Sequence, residues 1–351
     1  MKFRAAILVE SRKPLVIDEI ESLPLEAGQV LVKVHCSGIC GAQINEIDAV
    51  KGEDKFLPHL LGHEGGGTVV EVGAGVSRVK PGQRVVMHWR KAEGINAKPA
   101  KYLWAGRNVN SGWVTTFSDY SVVSENRVTP VSDTTPVEIA ALMGCAVTTA
   151  FGIVNNDANL KVGESVVVLG CGGLGLAVLM AAKAAGAWPI IGVDIKPEKL
   201  EWSRQMGADE TVLYTSKAQL VQDIGRLLPR GVDVCIENTG LGSMIEYAYE
   251  TVKDRTGRVI LAGVPDSREK VCIHTLPLHF GKILTGSEGG QTQPDRDIPR
   301  ILSFTGAKNI DLSALISHRF PLEKINEGLL LMRSGGTKRV LIENAPNGNP
   351  G

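Results

Sequence analysis

The sequence predicts an α/β protein built from a mostly-β unit and a doubly wound parallel sheet, and three observations lead there. The chain has 351 residues, more than one hydrophobic core usually supports, so two domains are expected ahead of a single large α/β unit. The stretch before Pro130 breaks into short apolar runs separated by Gly and Pro, the signature of strands and turns. From Ser165 onward strand-like and helix-like runs alternate. Strands separated by helices imply a parallel sheet whose ligands lie beyond the strands' carboxyl ends.

Taken in order, the first part predicts strands at Ala5–Val9, Gln29–Cys36, Gly67–Val72, Arg84–His88 and Tyr120–Val123. Thr135-Pro136-Val137-Glu138 then reads as a capping box with Pro at the first helical position, opening a helix toward Met143. The second part pairs strand Ser165–Leu169 with helix Leu176–Ala185, and strand Pro189–Val193 with helix Pro197–Met206. A strand near Val212 leads to helix Ala218–Leu228, and Val232–Ile236 to a helix capped by Ser243 and Glu246. Arg258–Ala262 adds a further strand, and the Asn/Pro/Gly tail after Glu343 reads as a frayed end. Ser165 to Ala182 is uncharged and long enough to be scored as a membrane span. Its four glycines, Gly170, Gly172, Gly173 and Gly175, fit a strand, a turn and a helix instead.

Composition narrows the function. Hydrophobic residues at 43% and charged residues at 22%, with 38 of each sign, exclude disorder and leave no net field to draw nucleic acid or an anionic membrane. Forty glycines against 5% aromatics favour tight turns over a base-stacking platform, which points to an enzyme acting on a small molecule. Six cysteines, at 36, 40, 145, 171, 235 and 272, are too sparse for a disulfide scaffold and suit a reducing compartment. The apolar run Ala5–Val9 after Lys2 and Arg4 is too short for a signal peptide, so a cytoplasmic location is expected.

Gly170-Cys171-Gly172-Gly173-Leu174-Gly175 matches G-x-G-x-x-G where a strand ends and a helix begins. The first glycine permits the turn, the second lets a pyrophosphate approach the helix N-terminus, and the third allows helix and strand to pack closely. Asp194, nineteen residues after Gly175, ends the next strand, where a carboxylate accepts from ribose hydroxyls and repels a 2′-phosphate. NAD(H) is therefore expected over NADP(H), with Lys199 adding a ribose contact. Cys171 reads as a small filler residue.

A second signal is spread along the chain: Gly38-Ile39-Cys40-Gly41, Gly62-His63-Glu64-Gly65 and Gly144-Cys145. Two sulfur ligands, one nitrogen ligand and an open position describe catalytic zinc. Together with the nucleotide turn, with VKPGQRV, GSEGGQTQPDRDIP and the closing RFPLEKINEG and KRVLI segments, the chain resembles the zinc-dependent medium-chain alcohol dehydrogenase family over nearly its whole length. The resemblance implies a GroES-like catalytic domain, residues 1–146 and 290–351, interrupted by a Rossmann domain at 147–289. It implies one catalytic zinc held by Cys40, His63 and Cys145, with Glu64 as the carboxylate that approaches the metal during ligand exchange. Thr149 then lies beside the nicotinamide and Arg339 contacts the cofactor. A zinc ion so held is a Lewis acid for an alcohol or carbonyl oxygen during hydride exchange with NAD.

Two departures from the family pattern bear on function. His88 to Trp113 contains no cysteine, so no structural zinc is expected, and the segment reads as a rearranged surface lobe or part of the substrate entrance. After Cys40 the chain has Ala42, Gln43 and Asn45 where relatives place a hydroxyl, a carboxylate and a histidine. The usual proton relay is thus absent: either water and another residue, with His88 a candidate, replace it, or the reaction needs no relay at that oxygen, and His63 is expected to lack its carboxylate partner. Glu288, Trp89, Phe117 and Ala42 are the expected substrate-side residues, Glu288 suggesting a polyol-, cyclitol- or sugar-like alcohol. Reduction of an activated C=C or C=N bond, or nucleotide binding without turnover, are the alternatives. A homodimer through the edge of the Rossmann sheet is expected, relatives being dimers or tetramers. The histidines at 35, 59, 274, 279 and 318 show no spaced partner and read as structural.

Overall fold

The structure, a computed structural model, describes residues 1–50 and 52–344. The tail expected to fray therefore lies, from residue 345 on, outside the described residues. The chain divides into two units, Met1–Cys145 with Gln293–Gly351, and Ala146–Thr292.

The first unit is organised by the strand Gln29–Ile39. One edge pairs antiparallel with Glu64–Val72. The other edge is shared, its first half pairing with Tyr120–Ser124 and its last residues with Arg339–Glu343. Val30, Val32, Val34, Val69, Val85, Met87 and Val123 fill the core on one side, the β-branched residues expected of a pleated, buried surface. Cys36 is fully buried on this strand and burial pushes its thiol up. The return of the chain's end to this sheet places Val340 opposite Ile39, which sets Arg339 beside the strand end that precedes Cys40.

Beside this sheet, Lys2–Leu8, Val16–Ser22, Lys101–Trp104, Arg107–Asn110 and His59–Leu60 close into a small barrel. The segment from His88 to Trp113 thus supplies two strands of this barrel. Its second half is a hairpin turned at Ala105 and Gly106, with φ of 47° and 77°, the two-residue turn whose twist matches paired strands. Tyr102 in that hairpin is fully buried, and its hydroxyl accepts from the Val122 N–H at 2.9 Å. The first half is tied down by the buried Glu125 carboxylate, which accepts from the N–H groups of Ile95 (2.8 Å), Ser77 (2.7 Å) and Arg78 (2.8 Å).

The second unit carries a six-stranded sheet in the order Glu210–Leu213, Ile190–Asp194, Val166–Leu169, Val234–Glu237, Arg258–Leu261, Ile283–Gly286. All neighbours are parallel, and the order reverses at Val166–Leu169. That reversal opens a crevice at the carboxyl end of the first strand. Ser165 to Ala182 resolves into this strand and the helix Gly173–Ala184. Among the described residues no single helix is long and apolar enough to cross a membrane.

Two expected helix caps do not form. The helix over Val137–Met143 takes Pro136 as its cap, without a side-chain hydrogen bond, because the proline ring keeps Thr135 out of helical conformation. Helix Gly242–Thr251 begins ahead of Ser243. Glu269 accepts its Gly242 N–H at 3.0 Å, and Glu246 accepts from the Cys272 N–H at 2.7 Å, so a remote loop does the capping. Ser216, by contrast, caps Lys217–Leu227 by accepting from the Gln219 N–H.

Candidate active site

Three turns of the first unit meet at one corner. Cys40 is the cap residue between strand Gln29–Ile39 and helix Gly41–Ile47. His63 follows Gly62, whose φ is 93°, at the start of strand Glu64–Val72. Cys145 follows the helix Val137–Met143 and Gly144. Gly144 is required for this closure, since an added Cβ would fall 2.8 Å from the Glu64 Cα. The ligand atoms of Cys40, His63 and Cys145 all lie within 4.8 Å of one another. Hydrogen bonding with Cys145, against the opposing effect of burial, holds the Cys40 thiol well below its ordinary range. His63 Nε2 is buried with no hydrogen-bond partner. Two sulfurs and a free imidazole nitrogen suit zinc, which takes S and N donors tetrahedrally and keeps a position open in catalytic sites.

The layer behind these residues is fully buried. Glu64, 0% exposed, is ion-paired with Arg339, 3% exposed. Gly38 leaves room for the Glu64 carboxylate, where an added Cβ would collide with it. Arg339 thus holds Glu64, with its Nε buried and unpartnered. In place of a carboxylate, the Gln43 amide, 1% exposed, hydrogen-bonds the His63 Nδ1. Gln43 Oε1 accepts from the Cys40 N–H at 2.9 Å, so this amide braces two of the three turns.

In the second unit, each glycine of the turn has a distinct geometry. Gly170 has φ of 86°, a left-handed conformation that favours glycine. A Cβ on Gly172, the helix cap residue, would meet nothing within 4 Å. A Cβ on Gly175 would stand 2.1 Å from the Gly170 carbonyl oxygen. The helix Gly173–Ala184 has no side-chain cap, which leaves its N-terminal N–H groups to an anion. Asp194, 7% exposed, accepts from the N–H of Cys171 (2.8 Å) and Lys196 (3.1 Å), and Lys199 Nζ lies 3.7 Å away. The open space over Gly172 beside this carboxylate fits a dinucleotide. Ile195, 66% exposed, follows Asp194 at the end of strand Ile190–Asp194.

Comparison with known proteins agrees with this geometry. Residues 26–133 match the alcohol dehydrogenase GroES-like domain, and residues 173–305 the zinc-binding dehydrogenase domain. S-(hydroxymethyl)glutathione dehydrogenase of Escherichia coli is 31% identical over 97% of this chain and 100% of its own. This chain belongs to the zinc-dependent alcohol dehydrogenase family. The solved alcohol dehydrogenase zinc-binding domain protein from Burkholderia ambifaria superposes on 98% of it and 99% of its own chain, with a TM-score of 0.90 and 25% identity. The 2R,3R-butanediol dehydrogenase from Bacillus subtilis covers 98% of this chain and 100% of its own, with a TM-score of 0.79 and 26% identity. The protein is accordingly an oxidoreductase acting on CH–OH groups of small molecules.

The remaining expected residues of this alcohol dehydrogenase fall in varied settings. Ala42 is exposed and Asn45 half-buried on helix Gly41–Ile47. Trp89 is half-buried, with the Arg90 guanidinium 5.6 Å from its ring centre. Phe117 is 1% exposed and packs with Ile39, Leu61 and Val340. Its backbone is bonded to Leu61 and Ala6 (3.1 and 2.9 Å). Thr149 is buried in helix Ala146–Gly152, and Glu288 is exposed in the turn after strand Ile283–Gly286; both belong to the second unit. His88 is engaged at both ring nitrogens. Its Nδ1 faces the Arg90 carbonyl at 2.8 Å, its Nε2 faces Thr129 Oγ1 at 2.9 Å, and burial pushes its pKa down to about 4. His59, expected to stand alone, is paired with Asp54 at 2.7 Å.

Proposed function

We propose that this alcohol dehydrogenase oxidises a polar, hydroxyl-rich alcohol, or reduces the matching ketone, with NAD(H) as the hydride carrier. The observation that carries the reading is the half-buried trio of Cys40, His63 and Cys145, with the His63 Nε2 unclaimed, in a chain that also bears the glycine turn and Asp194. Those three residues would hold one zinc ion, which supplies Lewis acidity toward the substrate oxygen. Glu64 and Arg339 keep a neutralised, dry wall behind it. Asp194 supports NAD over NADP, because its buried carboxylate sits where a 2′-phosphate would bring like charge. Residues 1–146 with 290–351, and 147–289, are the proposed catalytic and nucleotide domains.

Diol and hydroxymethyl substrates in the names of two relatives support a polar substrate. The edge strand Ile283–Gly286, with Leu276, Phe280 and Ile283 all exposed, supports pairing with a second copy. Six cysteines, none of them in a disulfide among the described residues, support a reducing, cytoplasmic setting. The test is initial-rate turnover with NAD and with NADP across 2,3-butanediol, polyols, cyclitols and plain primary alcohols. The reading expects NAD-linked turnover led by the diols or polyols. Preference for NADP, or for unsubstituted alcohols, overturns it.

A further inference from the structure

The Gln43 amide stands between two groups that both need an acceptor. It is the third residue of helix Gly41–Ile47, and its Oε1 accepts from the Cys40 N–H at 2.9 Å, closing a capping box. That bond fixes which way the amide points, because a backbone N–H cannot donate to an NH2 group. The Nε2 therefore faces His63 Nδ1, and an NH2 donor facing a ring nitrogen requires that nitrogen to carry a lone pair. A neutral imidazole then holds its proton on Nε2. Nε2 is the nitrogen that would bind metal, since Nδ1 is occupied by Gln43 and Nε2 has no partner.

A metal on Nε2 moves the proton to Nδ1, where it meets the NH2 of Gln43, donor against donor. Relief requires the amide to turn over, which breaks the cap on Cys40 and opposes its NH2 to the Cys40 N–H instead. A carboxylate at this position has no such conflict: one oxygen accepts from Cys40 and the other from Nδ1–H. Gln43 is 1% exposed, so water does not stand in for the missing acceptor.

We propose that Gln43 is a positioning residue that holds His63 in the tautomer unable to bind metal, and so loosens the centre's grip on zinc. This rests on Cys40, His63 and Cys145 being the zinc site. The test uses the full chain and its Gln43→Glu variant, which keeps the capping box. Nitrogen-15 NMR of histidine-labelled, metal-free protein reads the His63 tautomer, and competition with a chromogenic chelator reads zinc affinity. The expected result is Nε2–H in the metal-free wild type, and zinc affinity about 10- to 100-fold higher in the variant. Nδ1–H in the metal-free wild type, or equal or weaker zinc binding by a variant that melts at the wild-type temperature, overturns the proposal. Failure of both proteins to bind zinc overturns the reading of the trio, and the NMR result on metal-free wild type then decides the Gln43 assignment by itself.

Discussion

The two candidate sites are built in opposite ways. The nucleotide turn is local: Gly170 to Gly175 is one unbroken stretch, and Asp194 accepts from Cys171 inside that stretch. The metal corner is assembled from three turns far apart in sequence, and its supports come from farther still, with Arg339 reaching Glu64 across 275 residues. A local site is specified by backbone geometry, so each glycine can be assigned a separate task. An assembled site is specified by complementary buried groups, and changing one of them strands its partner.

That contrast predicts where substitutions act. The largest effect belongs to the corner: His63→Ala or Cys145→Ser should lower turnover by about three orders of magnitude together with loss of zinc, since a Lewis acid contributes several kcal/mol. Paired zinc analysis and initial rates check this, and a variant that keeps both zinc and rate breaks the assignment. At the turn, two neighbouring substitutions should separate. Gly175→Ala, whose methyl would strike the Gly170 carbonyl, should cost about 1–3 kcal/mol of stability. Gly172→Ala, whose methyl meets open space, should leave stability within about 0.5 kcal/mol while weakening NAD binding. Denaturant unfolding and NAD titration read the two halves of this prediction, and equal effects on both would erase the distinction.

Asp194→Ala should shift preference toward NADP by roughly 10-fold or more, by removing the like charge and about 1–3 kcal/mol of ribose hydrogen bonding. A ratio of kcat/KM values for the two cofactors that does not move would show that the carboxylate reads no phosphate. A pH-dependent effect concerns His88, paired across the sheet with Glu64. Its pKa, ordinarily 6.5, is pushed to about 4 by burial, so between those values the unfolded chain takes a proton that the folded chain refuses. Stability should therefore fall as pH drops through that window, by about 3 kcal/mol at most. In His88→Gln the same stretch of the stability profile should flatten; urea titrations across it would show an unchanged slope if the histidine were not responsible.

Legibility in the sequence follows the same division. The parallel sheet was readable because each strand and helix announces itself through a run of Val and Ile or a following Gly, and Gly170 to Gly175 with Asp194 could be read as one motif. The barrel hairpin at Lys101–Trp104 and Arg107–Asn110 was not, because its strands are four residues each and polar on the outward face. The Cys40, His63 and Cys145 trio was legible through residue type and the family resemblance. Its supports were less so: neither the Gln43 amide on His63 nor the Arg339–Glu64 ion pair is written in local pattern. Which buried donor finds which acceptor depends on the register of Arg339–Glu343 against Gln29–Ile39, a long-range pairing that local pattern does not encode.

The central claim is that the Cys40, His63 and Cys145 corner is a zinc site. X-ray absorption at the zinc edge on protein purified without added metal tests it most directly. The account predicts one zinc per chain with two sulfurs near about 2.3 Å, one imidazole nitrogen near about 2.0–2.1 Å, and a light-atom ligand in the open position. A shell of oxygen and nitrogen alone, or no zinc in folded protein that still binds NAD, would contradict it.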